Sequence, residues 1–396
     1  MASISMMTSA QTELGSGLNQ SDFNKSVRPG DDFYEYACGG WMKNNPLPAA
    51  YSRYGSFDRL QETNDKRING ILSELQSNTY AKGTIEQKLS DLYKLAMDST
   101  RRNKEGVAPV MPLIKKLEAA KTNKQLLAIQ LEQAPYGEQE FFYAGFSADD
   151  KNATQNILNV YQGGLSLGQK EYYLDNDKAT ASIREAFKKH VVKMFQLFGF
   201  SKSAATKKMQ NIMKVETELA KVSKSRTELR DPEANYNKMT LKEFEAKYPN
   251  LPLVKVMNAK GIDTKYLQEM VVGQPDFLAG ANKLVGSIKP AEYRDVMEWG
   301  VISGAANYLS DATVAESFDF NGKIRSGRKE NHPLWKRSTS QVERVMGEAL
   351  GKIYAEKYFP EAAKKRMLTL VKNLQIALGE RIAAQECLHT PHKHLG

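Results

Sequence analysis

The sequence predicts a mainly α-helical protein: one large, irregular helical domain, with a small aromatic-rich segment before it and a pair of helices after it. Three observations support this prediction. Apolar residues recur at helical spacing in several long stretches, and strand-like alternation is scarce. No unit of about 20 to 50 residues repeats, which argues against a regular helical solenoid.

Residues 1–24 carry little structural information. Their opening, MASISMMTSA, is small and uncharged and precedes a polar run, so it resembles either the tail of a secretory signal or a plain disordered terminus. From Arg28 onward, aromatic residues alternate with Gly and Pro. Asp31 or Asp32 is expected to cap a short helix, which an irregular, buried loop then follows.

Four later stretches have the period of one helix face. Their apolar faces begin at Ile85, Ile183, Val342 and Met367. Gly199 is expected to end the helix that begins near Ile183, and Pro360 the helix that begins near Val342. FFYAGFSADDKN, from Phe141, is the best candidate for a strand, and the Gly-rich QGGLSLG, from Gln162, is expected to be a connecting loop.

The charge balance suggests an anionic partner, but no segment fits one. Lys and Arg number 56 and Asp and Glu 46, which gives a formal net charge of +10. The basic residues are interleaved with acids, and the densest basic runs lack the aromatic residues that stack on bases. We therefore predict no nucleic-acid partner.

No run reaches the roughly 18 to 20 apolar residues of a membrane-spanning helix, so no membrane span is predicted.

Histidine and cysteine offer no self-contained active site. None of the five histidines follows the pattern His-Glu-x-x-His: His190, His332, His389, His392 and His394. His190, within an amphipathic helix, is predicted to be a surface or boundary residue, and His332 to lie in a loop. The C-terminal tail that carries the other three histidines is not preorganised. Cys38 and Cys387 are too few for a disulfide scaffold or a cysteine zinc site. The residues themselves predict no catalytic and no metal-binding group.

One arginine stands out. Arg53 lies in the loop YSRYGSFDRL beside Tyr51, Tyr54 and Phe57. An arginine held in an aromatic loop can bind the carboxylate of a peptide or an organic acid in bidentate fashion. A structural salt bridge or a stacking contact is the alternative, and spacing alone favours that alternative.

A series of motifs changes this balance. DDFYEYACGGWMKNNPLPAAYSRYGSFDRL, from Asp31, closely resembles the start of the neprilysin family of zinc metallopeptidases, which includes endothelin-converting enzymes and the bacterial oligopeptidase PepO. The likeness continues in order and covers roughly residues 25–386. Its further motifs are QGGLSLGQKEYYL, ELAKVSKSRTELRDPEANYNKMT, WGVISGAANYLS and VMGEALGKIYAEKYFP.

The resemblance implies a two-lobed, α-rich metalloendopeptidase that encloses a cavity and hydrolyses short peptides. In the family, one lobe carries His-Glu-x-x-His and a downstream glutamate as zinc ligands, and the other lobe is a helical cap. This chain matches the cap and the helices that return toward the catalytic lobe. The family therefore implies zinc in full-length members, while we expect this chain to bind none, to be inactive alone and to have the missing catalytic lobe as its partner.

The same resemblance implies a division of the chain. Residues 25–60 would pack on the catalytic lobe, 61–340 would form the cap, 341–386 would lead into the catalytic lobe, and 387–396 form an aberrant tail. The apolar faces of 28–60 and 341–386 are then expected to be partly exposed. Family and leader together suggest an extracytoplasmic location, periplasmic or at the cell surface.

Two substrate-binding residues follow from the resemblance. Arg53 matches an arginine that binds the C-terminal carboxylate of the substrate, and Phe57 matches an aromatic position that lines the pocket. Gln61 stands where some animal members have a second arginine, and Cys38 stands where they have a disulfide whose partner is missing here. The glycines of the motifs are interpreted as turn and packing positions: Gly39, Gly40, Gly163, Gly164, Gly347 and Gly351. The alternative to a peptidase region is a non-catalytic helical module that binds peptides or acts as a scaffold.

Overall fold

The computed structural model describes residues 18–137 and 141–385, and the described part confirms a mainly α-helical fold with one small sheet. The interpretations of residues 1–17 and of the tail from 387 lie outside the described residues. The helices are α1 Phe33–Asn44, α2 Ser56–Gln76, α3 Ile85–Met97, α4 Ser99–Glu105, α5 Met111–Ala119, α6 Asn123–Gln133, α7 Glu171–Leu174, α8 Lys178–Leu197, α9 Lys202–Val222, α10 Leu241–Lys247, α11 Leu253–Ala259, α12 Pro275–Ser287, α13 Pro290–Ala305, α14 Asp311–Phe318, α15 Leu334–Tyr358 and α16 Glu361–Ala383.

The N-terminal segment differs in part from its prediction. Asp32 caps α1, because its side chain accepts a hydrogen bond from Glu35 N at 2.9 Å. The helix continues through the double glycine, since a Cβ at Gly40 would lie 2.3 Å from Ser21 O and only glycine permits that approach. The loop that follows, residues 45–55, is half-buried to exposed. The prediction of a buried loop was wrong, because none of its residues is buried.

The four predicted amphipathic helices are confirmed as α3, α8, α15 and α16. Gly199 follows α8 with φ of +90°, a left-handed conformation that favours glycine. Pro360 separates α15 from α16 and is the N-cap of α16. Helix α15 is kinked at Met346, whose φ of −133° is not helical.

A four-stranded sheet interrupts the helices, with strands β1 Phe142–Asp149, β2 Asn152–Gln162, β3 Asn237–Thr240 and β4 Glu269–Val272. Its order is β1-β2-β4-β3. The strand predicted from Phe141 is confirmed as β1, which pairs with β2 as an antiparallel hairpin. Strand β4 runs parallel to β2 and antiparallel to β3. The loop predicted after Gln162 begins where β2 ends.

Two hydrophobic cores hold the helices together. The larger core joins α5 to α13 with the inner strands, and Leu158 of β2 and Phe195 of α8 are fully buried in it. The smaller core is formed by α2, α3 and α15, where Leu72, Leu89 and Val342 are fully buried. The smaller core therefore joins the N-terminal helices to a helix far along the chain.

Helix α16 belongs to neither core. Its 23 residues include none that is buried. Ile382 is of intermediate burial, and the other large apolar side chains are about half exposed: Met367, Leu368, Leu370, Val371, Leu374, Ile376 and Leu378. The partial exposure expected of this segment is thus observed in the described residues.

Candidate functional site

The loop of residues 45–55 is held in place by aromatic packing. Tyr54 stacks on Trp41 of α1 with ring centroids 6.0 Å apart, and Tyr51 meets Tyr54 edge-on at 5.2 Å. Tyr51 also contacts the ring of His332, which precedes α15, at 5.2 Å. Ala49 O accepts backbone hydrogen bonds from residues 329 and 330. Contacts from α1 and from residues 329–332, far along the chain, therefore fix the conformation of this loop.

A polar network lies beneath the loop. Lys336 Nζ donates to Tyr51 Oη at 2.7 Å and pairs with Asp65 Oδ2 at 2.7 Å, and Asp65 Oδ1 accepts from Gln61 Nε2 at 2.8 Å. Burial by itself would lower the pKa of Lys336, but its bonds to Asp65 and Tyr51 outweigh burial and raise that pKa. Tyr54 Oη donates to Glu62 Oε2 at 2.8 Å, and burial together with this bond raises the pKa of Tyr54 to about 12.

Arg53 projects from this anchored loop into solvent. Its side chain is exposed, and it makes no hydrogen bond or ion pair within residues 18–137 and 141–385. Phe57, in the first turn of α2, is 85% exposed. Gln61 follows Phe57 by four residues, so the two stand one helical turn apart. The structure thus brings Arg53 and Phe57 to the same end of α2 and leaves both free for a ligand.

This arrangement suits an anionic ligand with an apolar neighbour. A guanidinium without an intramolecular partner offers its full fork of donors to a carboxylate, and an exposed aromatic ring offers apolar contact beside it. The salt bridge that the sequence left as the alternative for Arg53 does not occur in the described residues. Gln61 is neutral and donates to Asp65, so this position supplies no second cation.

His190 is not at the surface, as its sequence position had suggested. It is 5% exposed, and its Nδ1 lies 2.9 Å from Glu316 Oε1. Its ring stacks on Phe320 at 4.8 Å and meets Trp299 edge-on at 5.6 Å. The prediction was wrong because contacts from distant parts of the chain satisfy this imidazole. His332 does lie in a loop, and burial and nearby positive charges lower its pKa.

The described residues contain no group of three or more His, Cys, Asp or Glu side chains that could hold a metal ion. Cys38 lies in α1 and forms no disulfide within the described residues. Cys387 and the three C-terminal histidines lie outside the described residues. The zinc that the family implies therefore does not fit the side chains seen here, and no chemical step of this chain is derived from it.

Sequence reasoning missed a buried acid. Glu216 of α9 is 2% exposed and receives hydrogen bonds from Ser166 Oγ at 2.6 Å, from Ser166 N at 3.2 Å and from Tyr173 Oη. Burial, partly opposed by these bonds, raises the pKa of Glu216 to about 7. A signal was present, because Glu216 occupies the apolar face of α9 between Ile212 and Leu219.

A second buried group on α9 was also missed. Lys208 pairs with Asp295 at 3.0 Å and with Glu298 at 2.5 Å, both on α13. Burial raises the pKa of Glu298 to about 7 although Lys208 opposes this shift. The pairing with both acids makes Lys208 a structural contact between α9 and α13.

None of the helices in the described ranges is both long enough and apolar enough to cross a bilayer.

Comparison with known proteins gives a family. Residues 29–394 match the model of peptidase family M13. Endothelin-converting enzyme 1 of Rattus norvegicus is 28% identical over 376 residues, which are 92% of this chain and 48% of that protein. The human enzyme is 28% identical over 373 residues. The chain spans about half the length of these curated relatives.

Solved structures agree with the sequence matches. The Mycobacterium tuberculosis zinc metalloprotease ZMP1 in complex with an inhibitor has a TM-score of 0.86 at 27% identity, over 96% of this chain and 57% of that one. PepO from Lactobacillus rhamnosis shares the fold, with a TM-score of 0.79 at 21% identity, over 93% of this chain and 58% of that one. The predicted family and fold class are confirmed: this chain belongs to peptidase family M13.

Proposed function

We propose that this chain is the N-terminal, substrate-enclosing region of a zinc metalloendopeptidase that hydrolyses short peptides. In this proposal Arg53 binds the C-terminal carboxylate of the peptide, and Phe57 contacts the residue beside it. The observation that carries the proposal is the exposed, unpaired Arg53 on a loop fixed by aromatic packing and by Lys336. Such a group contributes to binding because it needs little reorganisation.

Catalysis is assigned to a zinc-bearing region outside these residues. The sequence contains no His-Glu-x-x-His, and the described residues offer no metal site. We therefore propose that the 396 residues are inactive alone. The zinc-bearing region would cover α16 and the exposed aromatic side chains of α1, where Phe33 is 68% exposed.

Membership of family M13 and likeness to endothelin-converting enzyme 1 support a peptidase. They also support an extracytoplasmic location, which we propose for the whole protein. Fractionation of cells that produce the protein from its natural coding sequence tests this. Recovery with cytoplasmic markers would contradict it.

The binding role is tested with the 396-residue chain and short peptides. We expect a peptide with a free C-terminus to bind more tightly than its C-terminal amide, because only the free acid carries the carboxylate. Arg53→Ala should remove this preference with a loss of roughly 10- to 100-fold in affinity, the range expected for a hydrogen-bonded charge pair. Arg59→Ala, at an exposed arginine in the first turns of α2, is the matched control. Equal binding of acid and amide by the unchanged chain would contradict the role of Arg53.

The catalytic assignment has a separate test. The chain alone, supplied with zinc, should not cleave a fluorogenic peptide. Chelator-sensitive cleavage by the purified chain would contradict the assignment. If Arg53-dependent binding occurs but no zinc-bearing region associates with the chain, the alternative from the sequence stands: a helical module that binds peptides without hydrolysis.

A further inference from the structure

A second recessed site lies away from Arg53, between the start of β1, the loop after β2 and helix α13. It is a groove of about 350 Å³. Its walls are the aromatic rings of Phe141, Tyr143 and Trp299, and one of its polar groups is Glu216. Tyr143 is about half exposed, whereas Trp299 is buried. The groove thus runs from an open aromatic rim to a buried carboxyl group.

Small residues keep this groove open. Gly300, Ser303 and Gly304 of α13 form one side of it. A Cβ at Gly304 would meet no atom within 4 Å, so the space beside it is empty. On the opposite side, Gly164 has φ of +78°, and a Cβ there would lie 3.1 Å from Leu219. Glycine at position 164 therefore lets the loop approach α9 and bring Ser166 to Glu216.

Glu216 lacks the charged partner that the other buried glutamates have. Among the four buried glutamates of the described residues, Glu292 pairs with Lys214, Glu298 with Lys208, and Glu316 with Lys193. Glu216 has neutral donors only, from Ser166 and Tyr173. Of the residues that line the groove, Glu216 alone is acidic and none is basic. The chain has a net charge of +10, whereas this groove is lined by one acidic residue and no basic residue.

We propose that this groove is a binding site for a primary ammonium group, carried by a small amine or by a lysine side chain. The ammonium supplies the counter-charge that Glu216 lacks, and the rings of Tyr143 and Trp299 surround its apolar stem. Aromatic faces attract cations, and a carboxylate has a lone pair left after three hydrogen bonds. This site is independent of Arg53 and of the proposed peptidase role.

Binding is expected to be coupled to a proton. Burial raises the pKa of Glu216 to about 7, so below neutral pH the acid is largely neutral and attracts a cation weakly. The side chains that contact Glu216 are the hydroxyls of Ser166 and Tyr173. The charged side chain of Arg325 donates from Nη2 to the backbone oxygen of Leu167 at 3.3 Å. On α13 the neutral Trp299 joins this network, because its Nε1 donates to Ser166 Oγ at 2.9 Å.

The experiment titrates the full chain with benzylammonium and, in a second arm, with N-acetyl-lysine amide. Benzyl alcohol is the uncharged comparison. We expect ammonium binding to strengthen roughly tenfold from pH 5 to pH 6 and to level off above neutral pH, following ionisation of the acid. Binding in either arm supports the site, and the stronger arm identifies the source of the ammonium. Absence of binding in both arms, or equal binding of benzyl alcohol, overturns it.

Variants locate the binding. Glu216→Gln should lower the affinity for benzylammonium at least tenfold at pH 8 and remove its pH dependence. Glu218→Gln, on the same helix but exposed and paired with Lys221, is the control and should change neither. Gly304→Leu places a larger side chain in the open space of the groove and leaves Glu216 unchanged, so it should also block binding, which keeps the test decisive if Glu216→Gln folds poorly. Unchanged affinity in Gly304→Leu would overturn the proposal.

Discussion

Lys336 Nζ lies 2.7 Å from Asp65 Oδ2, and this ion pair joins α15 to α2 directly beneath the loop that carries Arg53. Both side chains are largely buried, at 14% and 6% exposure. The pair links the smaller core to the candidate site, because Lys336 also holds Tyr51 of the loop. The position of Arg53 therefore depends on a contact between residues far apart in the chain.

Lys336→Met is the first prediction. It removes the positive charge and leaves Asp65 buried without its partner, which costs about 3 to 5 kcal/mol when one member of a buried pair is lost. Urea denaturation should show this loss in the free energy of unfolding. Lys352→Met, at an exposed lysine of the same helix, is the control and should change it by less than about 0.5 kcal/mol. Equal stability of the two variants would mean that the pair contributes nothing.

The pH dependence of stability is the second prediction. The pKa of Glu216 is raised from 4.5 to about 7, so the folded state holds this proton more tightly than the unfolded state. The stabilisation is then complete below pH 4.5 and is lost as pH rises through 7, with a total of roughly 3 kcal/mol. Glu298 shifts in the same direction.

Comparison with Glu216→Gln isolates the contribution of Glu216. From pH 5 to pH 8 the unchanged chain should lose stability relative to this variant, measured by urea unfolding at each pH. Glu218→Gln should follow the unchanged chain. Parallel curves for the unchanged chain and Glu216→Gln would show that Glu216 titrates at its ordinary pKa.

Glycines of the motifs provide the third prediction, because the structure separates two kinds. Gly40→Ala should destabilise the chain, since its Cβ would lie 2.3 Å from Ser21 O, a backbone atom that cannot move freely. Gly351→Ala should stabilise it by about 0.5 to 1 kcal/mol, because Gly351 lies inside α15 with no atom within 4 Å of its Cβ position. Thermal unfolding measures both. Opposite signs of the two shifts are the expected result, and equal signs would contradict it.

This separation shows what the sequence could and could not predict. The sequence assigned Gly40 and Gly351 the same turn or packing role, but Gly347 and Gly351 lie within α15 with open space around them. Helix α3 was predictable because its core contacts recur every three or four residues in its own sequence. The pairing of β2 with β4 was not, since Leu158 and Met270 are far apart in the sequence and several helices lie between them.

For the candidate site too, local sequence patterns were predictable and contacts between distant residues were not. Arg53 was found through its local motif, and its lack of an intramolecular partner required the structure. His190 was assigned to the surface because its partner, Glu316, lies on another helix. Glu216 could have been found as a charged residue on the apolar face of α9, but its lack of a cation is visible only once every neighbour is known.

The last prediction concerns α16, none of whose residues is buried. Exposed apolar surface of this extent marks an interaction site, so the chain by itself should self-associate and bind a hydrophobic dye. Leu370 and Leu374 lie one turn apart and are 50% and 61% exposed. Leu370→Glu with Leu374→Glu should weaken self-association at least tenfold, because burial of two leucines contributes about 3 to 6 kcal/mol. Sedimentation equilibrium measures the dissociation constant.

A matched variant separates charge from apolar burial on α16. Asn373→Glu with Gln375→Glu adds the same two negative charges to the same helix without removing an apolar side chain. If apolar burial drives association, this variant should associate nearly as the unchanged chain does, and its dye binding should persist. If the two double variants have equal dissociation constants, the added charge and not the lost apolar burial weakens self-association. A chain that is monomeric at all concentrations and binds no dye would show that the α16 face is not an interaction surface.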